Sequence, residues 1–550
     1  MLSTPSIVKG AALSLAMLAA GALVAASPAA TPGPQKVKAA VRKAGKVQAP
    51  QCASCHASEA DEFGASHHAK SWDRQGTDAC KVCHQNPHSG EKPSALGKRG
   101  VVETCGQCHA DEAEAFKASV HGQALAKGVR EAPSCLTCHP AHGFKGPSDP
   151  SAAVGHANLP ATCSQCHGNA ALSVKFGLNP NVASTYKQGY HGVAVQAGVL
   201  TAANCASCHT AHNILAPEDP KSSVNPYNLP ATCGQCHPGA GLGVAMGKVH
   251  VSARGGGGVI DYVKLFYIFM IIATLGAMLL HDLGDFIYKH TRAARPAPAA
   301  SEGERMSLNE RLQHAVLMLA FFVLAYTGFA HTFPQAWWAA PFNGGAGPGL
   351  RRIIHLSAAG VLVALALYHL GYLALTARGR QLVRELMVGL GDARDALRTV
   401  GAWFKLCQPP AHARRFHYPE KAEYWAMVWG TTVMTLTGLV MATRDFWLAY
   451  APKWFIDIAL TVHYWEAILA ALSIPVWHFY WVFLDRYVFP MNWSWLTGYM
   501  VREPKPEAEQ PAPAEPAPIE PAPIEPDLAE PAPAAKAPDG EQESKSEEEK

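Results

Sequence analysis

The motif Cys-x-x-Cys-His occurs seven times before residue 240, beginning at Cys52, Cys80, Cys105, Cys135, Cys163, Cys205 and Cys233, and it uses fourteen of the fifteen cysteines in the chain. In each copy a second thiol lies one helical turn after the first (Cys55, Cys83, Cys108, Cys138, Cys166, Cys208, Cys236). A histidine follows at once (His56, His84, His109, His139, His167, His209, His237). Two thiols so spaced can add to the two vinyl groups of one haem while the histidine binds its iron. A disulfide framework or a set of zinc clusters would explain paired cysteines, but neither requires a histidine after the second cysteine in every copy. The region has few long apolar stretches and many Gly, Pro and Ala, so its core is expected to be macrocycles, and it should not fold without them.

The other histidines before residue 251 fall into a repeat. After the motifs at Cys52, Cys105, Cys163 and Cys233 a histidine follows at some distance: His67 or His68, His121, His191 and His250. After those at Cys80, Cys135 and Cys205 one follows almost immediately: His88, His142 and His212. His121, Cys135, His142 and Cys163 return as His191, Cys205, His212 and Cys233, an offset of 70 residues throughout, and Asn-Leu-Pro-Ala-Thr-Cys at 158–163 returns at 228–233. Each motif thus has a following histidine to supply the second axial ligand, His250 serving the motif at Cys233. His156 is left as a surface or loop histidine. The region resembles the multihaem c-type cytochromes with doubled motifs. That resemblance implies seven low-potential, bis-histidine c haems packed as a wire, and the full set of distal candidates argues against a haem with an open, catalytic position.

Ahead of this region, Lys9 precedes an apolar run ending in small residues, so 1–26 reads as a secretory signal peptide or an uncleaved anchor. Residues 27–50, rich in Ala, Pro and Lys, read as a flexible tether to a 51–254 haem domain. The tail, 501–550, repeats Pro-Ala-Pro and Ile-Glu-Pro and should be disordered. Cys407 reads as an ordinary reduced thiol.

Hydrophobic residues make up 49% of the chain and concentrate after residue 258. Five stretches, 259–280, 312–333, 353–375, 424–442 and 458–484, are long enough to cross a bilayer core of about 30 Å. The connections 282–311 and 376–418 are rich in Arg and Lys and the connection 334–350 has none, which puts the basic ones in the cytoplasm and the haem domain in the periplasm. Histidines within these stretches are functional candidates. His355 and His369, like His463 and His478, are separated by about 21–22 Å of helix rise, so two helices could hold two stacked haems.

Residues 305–500 resemble the four-helix dihaem cytochrome b subunits of membrane formate dehydrogenases, nickel–iron hydrogenases and thiosulfate reductases. The resemblance rests on Arg311-Leu312-Gln313-His314, Thr327-Gly328, Arg352-Ile353-Ile354-His355, Tyr424-Trp425, Leu436-Thr437-Gly438 and the pair His463 and His478. It implies two b haems, one held by His355 and His463 on the periplasmic side and one by His314 and His478 on the cytoplasmic side, with His369 the rival of His314. It also implies menaquinone chemistry near the second of these, where the family's polar stretch reads His417-Tyr418-Pro419-Glu420-Lys421 here and keeps only the lysine. His417 and Glu420 are candidates to bind a quinol hydroxyl and take its proton. The span at 259–281 is additional to the family pattern and reads as a structural link.

The expected fold is therefore mainly α: a loop-rich, haem-packed periplasmic domain joined to a five-span transmembrane bundle. The expected function is electron transfer across a bacterial inner membrane, from menaquinol through two b haems and seven c haems to periplasmic c-type cytochromes or extracellular acceptors. A second reading is a cytochrome anchor for a separate catalytic redox subunit. No nucleic-acid partner is expected.

Overall fold

A computed structural model describes residues 51–72, 79–84, 97–245, 247–255, 257–291, 304–410 and 415–499. The expected signal or anchor, the tether, His88 and the tail lie outside these residues. Those described form one compact unit, helical throughout, with an isolated bridge between Ser252 and Gly255 in place of any strand.

Between residues 51 and 255 the helices are short, most of them four to nine residues, because turns and caps punctuate the chain at each motif. The 70-residue repeat survives as hydrogen bonds. Asn158 donates to the carbonyls of Pro150 and Ala152 (both 2.9 Å), and Asn228 to those of Pro220 and Ser222 (2.8 and 2.9 Å). Thr162 and Thr232 each donate to a carbonyl nine residues back at 2.7 Å. The same polar pins thus position the motif helices Leu159–His167 and Leu229–Gly234.

From residue 259 the helices lengthen. The bundle consists of α1 (Val259–Thr291), α2 (Leu308–Thr332), α3 (Gly347–Leu375), the amphipathic α4 (Ala377–Leu386) and α5 (Leu390–Trp403), α6 (Tyr418–Ala442), short α7 (Arg444–Tyr450) and α8 (Lys453–Ser473). Five of these, the last counted through Leu484, are long and apolar enough to cross a membrane. Their starts are written in the sequence. Ser307 and Glu310 cap α2 reciprocally (2.8 and 3.3 Å), and Glu420 accepts from the His417 N–H at 3.0 Å to cap α6. After α8, Pro475 has no N–H to donate and the chain widens into π-helical turns, Ile474–His478 and Tyr480–Leu484. Helix α1 continues ten residues past the expected end at 281, because the buried Asp285 pairs with Lys289 (2.7 Å) and two groups after α8 complete the cluster: Tyr480 OH donates to Asp285 (2.6 Å) and Asp485 accepts from Lys289 (2.9 Å).

The motif region sits directly on one end of this bundle. Gly344 N–H donates to Ala197 O at 2.8 Å, Gln335 to Gln196 O at 3.1 Å, and the Trp465 indole to Ala253 O at 2.9 Å. Gly198 and Gly344 both have positive φ (87° and 69°), and a Cβ on Gly198 would come within 3.0 Å of Gly344 Cα. Only glycine allows that turn and that approach together.

Candidate haem-binding sites

Within the motifs, backbone bonds of 2.9 Å run from the N–H of His56, His84, His109, His139 and His237 to the carbonyl of the first cysteine. One closed helical turn therefore presents two thiols and an imidazole together, the arrangement that haem attachment needs.

The second imidazole comes from elsewhere in the fold. Ring centroids lie 6.1 Å apart for His68 and His109, 6.4 Å for His84 and His142, and 6.2 Å for His121 and His167. They lie 6.4 Å apart for His139 and His212, and 6.2 Å both for His191 and His237 and for His209 and His250. Two imidazoles on one iron, each about 2 Å from the metal with the ring centre about 1 Å further, have centroids about 6 Å apart. These residues fit bis-histidine haems.

The pairing corrects the expectation drawn from the sequence. His250 stands opposite His209, not His237, whose ring faces His191. No described pair joins a motif to the histidine that follows it. For the short-spaced motifs the reason is steric: His139 and His142 are three residues apart and cannot reach opposite faces of one flat macrocycle, so the second imidazole comes from a histidine that follows another motif. His68, not His67, faces a motif histidine, while His67 Nε2 lies beside Gly146. His156 lies in a turn, as one of the two expectations had it, but is half-buried, its Nδ1 in the wall of the central cavity.

Burial holds the imidazoles of His121, His191, His209 and His250 below the ordinary histidine range, so they stay neutral and iron need displace no proton at neutral pH. His250 also uses Nδ1 on Val182 O (3.2 Å), which leaves Nε2 for the cavity. Consecutive motifs touch. Cys105 and Cys135 are within hydrogen-bonding reach, as are Cys163 and Cys205, while Cys83, Cys138 and Cys208 each lie beside the cysteines of the next motif. Beyond Cys233 the segment packs on the bundle, and His237 Nδ1 bonds Asp445 of α7 at 3.1 Å.

One cavity of about 5120 Å³ runs from the first motif into the bundle, past His237, Arg444, Arg351, His355 and His463, to Trp477. An ordinary ligand pocket holds about 300–1,000 Å³, so this space suits a series of large cofactors. In the bundle His355 and His463 line that cavity, each bonded through Nδ1 to a threonine one helix earlier: Thr327 (2.8 Å) and Thr437 (2.9 Å). Each threonine spends its own proton on a carbonyl four residues back at 2.7 Å. The imidazole must then be the donor, which fixes the proton on Nδ1 and turns Nε2 inward.

At the far end of the bundle His314 and His478 face each other with centroids 6.3 Å apart, and Glu423 pairs with His478. His369 uses both ring nitrogens on protein, Gln313 at 2.7 Å and Tyr424 at 3.1 Å, so it has none left for a metal. Of the expected quinol residues, Glu420 caps α6 and pairs with Arg305, and the buried Lys421 pairs with Asp392 at 2.9 Å and donates to Met387 O at 3.2 Å. His417 is the N-cap residue of α6. Sequence reasoning missed Asp445, Glu423 and Arg351, which are ordinary charged residues until the fold brings them to histidines.

Residues 74–114 match the family model described as the doubled CXXCH motif. The match supports a multihaem c-type cytochrome. No curated protein and no solved structure matches the chain. With haem c bound, a chain of this kind is an electron-transfer protein, and its five long apolar helices suit it to a membrane.

Proposed function

We propose that this protein carries electrons across a bacterial inner membrane, from menaquinol on the cytoplasmic side, through two b haems in the bundle and seven c haems in the periplasm, to periplasmic c-type cytochromes. The observation that carries this reading is the set of histidine ring pairs 6.1–6.4 Å apart, which continues from the motif region to His314 and His478 in the bundle. The haems would supply the one-electron chemistry. The protein supplies spacing, orientation and electrostatics.

Each part of the chain has a defined task in that reading. The motif helices tether one haem edge, while distal histidines from other repeats lock neighbouring haems together, so no haem can shift alone. Thr327 and Thr437 fix the tautomer of the two periplasmic-side b ligands. Arg351 and Arg444, lining the cavity between bundle and motif region, can pair with haem propionates. The bond from His237 to Asp445 holds the last c haem against the bundle, where electrons would cross from b to c.

Haem stoichiometry tests this directly. Acid–acetone extraction of the purified chain should release two haems and leave seven covalently bound, and a naphthoquinol should then reduce both classes in untreated protein. Extraction that releases no haem refutes the b-haem part.

A further inference from the structure

Glu466 of α8 lines the cofactor cavity inside the bundle, yet it is only 3% exposed and its Oε2 has no hydrogen-bond partner among the described residues. The buried Tyr267 of α1 is hydrogen-bonded to the same carboxyl and so holds Oε1. No cation among the described residues pairs with it. An ionised group buried this way is costly without a charge partner, and an acid inside a membrane span marks function.

Its depth shows what the partner is. Glu466 Oε1 lies 3.5 Å from the position that a Cβ on Gly430 of α6 would take. Gly430 is seven residues from Thr437, which bonds His463, and seven from Glu423, which pairs with His478. At about 1.5 Å of rise per residue, the carboxyl stands about 10 Å along the bundle from the level of each histidine. It is midway between the two b-haem positions.

Resting on the two-haem reading above, we propose that Glu466 is a proton acceptor shared by the two b haems, ionised while both are ferric and protonated as they are reduced. A ferric iron between two imidazoles leaves its haem centre one positive charge, and a ferrous iron leaves none. Two such centres at equal distance are the charge partner that the carboxylate lacks in the protein, and reduction removes it. The electron comes from the quinol and stays on iron. The proton comes from water and forms one O–H bond on the Glu466 carboxyl; that bond breaks again when the electron passes to the c haems. At about 10 Å and an effective dielectric constant of about 20, one unit charge changes the proton affinity of the carboxyl on the order of tenfold.

The other titratable groups around Glu466 are held at a distance or already paired. Helix α1 presents Tyr267, and α6 presents the bare backbone of Gly430, with Glu423 two turns deeper. Helix α8 carries His463 one turn earlier, bonded to Thr437, and the ion pair of Lys453 with Asp457 at its start. Helix α7, packed on that start through Trp447 and Phe455, carries Arg444 and Asp445.

The test is a spectroelectrochemical titration of the full haem-loaded chain in detergent at a series of pH values. Because the carboxylate favours ferric iron, both b potentials should fall as pH rises. Linkage is reciprocal, so each should fall by roughly the same tenfold factor, ~59 mV for one electron, between its acid and alkaline plateaus. Glu466→Gln, which cannot ionise, should hold both at the acid plateau at every pH, with haem content unchanged. The reduced-minus-oxidised infrared spectrum should show the carbonyl band of a carboxylic acid, absent from Glu466→Gln and displaced in Tyr267→Phe. If Glu466→Gln loses haem, Tyr267→Phe decides, and an unmoved band there overturns the proposal. A pH slope confined to one b haem, or one that survives in Glu466→Gln, also overturns it, leaves the two-haem reading standing, and assigns the proton to propionates beside Arg351 and Arg444. A chain with no acid-extractable haem overturns the two-haem reading itself.

Discussion

The motif region and the helical bundle both bring histidines into pairs, but by opposite routes. In the bundle long helices packed side by side set each histidine: Thr327 meets His355 and Thr437 meets His463 one helix away, at sequence separations of 28 and 26, and His314 of α2 meets His478 just past α8. In the motif region the pairs jump between repeats, as with His68 and His109 or His191 and His237. The bundle has extended apolar helices of its own. The motif region has short helices, scattered buried residues such as Val102, Ala113 and Leu125, and a cavity through its middle. One part should tolerate loss of its cofactors; the other should not.

The largest expected effect tests that contrast. Made in cells that cannot attach haem c, the chain should keep the helicity of residues 257–499 and lose residues 51–255 to limited trypsin digestion, since apolar burial alone offers them little. A protease-resistant, haem-free motif region would show that the side chains build a core of their own.

Next in size is loss of a single cofactor from the bundle. His478→Ala should remove one extractable haem of two and spare the covalent haems, whereas His369→Ala should remove none, because His369 bonds Gln313 and Tyr424 instead. Haem counts by the pyridine haemochrome method decide between them. An equal loss in both variants would restore His369 as a ligand.

A change of spin state without loss of haem sharpens the comparison on the other side. His191→Ala should make the haem at Cys233 high spin, and His250→Ala the haem at Cys205. Adding Cys233→Ala and Cys236→Ala should abolish the high-spin signal of the first variant and leave that of the second. The reverse result would reinstate pairing by sequence proximity.

These variants mark the boundary of what could be read from the chain. The seven motifs, the 70-residue repeat and the five spans were legible, because each follows from a local period or an apolar length, whereas matched helix depth put His369 level with His478 and only the family resemblance favoured His314. Ligand exchange was not, because the spacing of His139 and His142 is a fact about one strand of chain, whereas coordination needs two faces of a plane.

The smallest expected effect concerns the partners of the metal-facing histidines, which also differ between the two regions. His237 bonds a carboxylate, Asp445, while His463 bonds a hydroxyl, Thr437. An acceptor on Nδ1 makes an imidazole more basic and favours ferric iron, and a charged acceptor does so more strongly than a neutral one. Asp445→Asn should therefore raise the potential of one c haem, and Thr437→Val should raise that of one b haem. For one electron, ~59 mV corresponds to about 1.4 kcal/mol of difference between the oxidation states. The Asp445 side chain is 61% exposed, so water screens it and a shift of a few tens of mV is expected rather than the full value. Thr437 offers only a neutral bond, part of whose worth is common to both oxidation states, so its shift should be on the order of 20 mV. Spectroelectrochemical titration of the two variants against wild type measures both. A larger shift from Thr437→Val than from Asp445→Asn would mean that desolvation in the bundle outweighs charge at its surface, and that the step from b to c is set by the buried threonine.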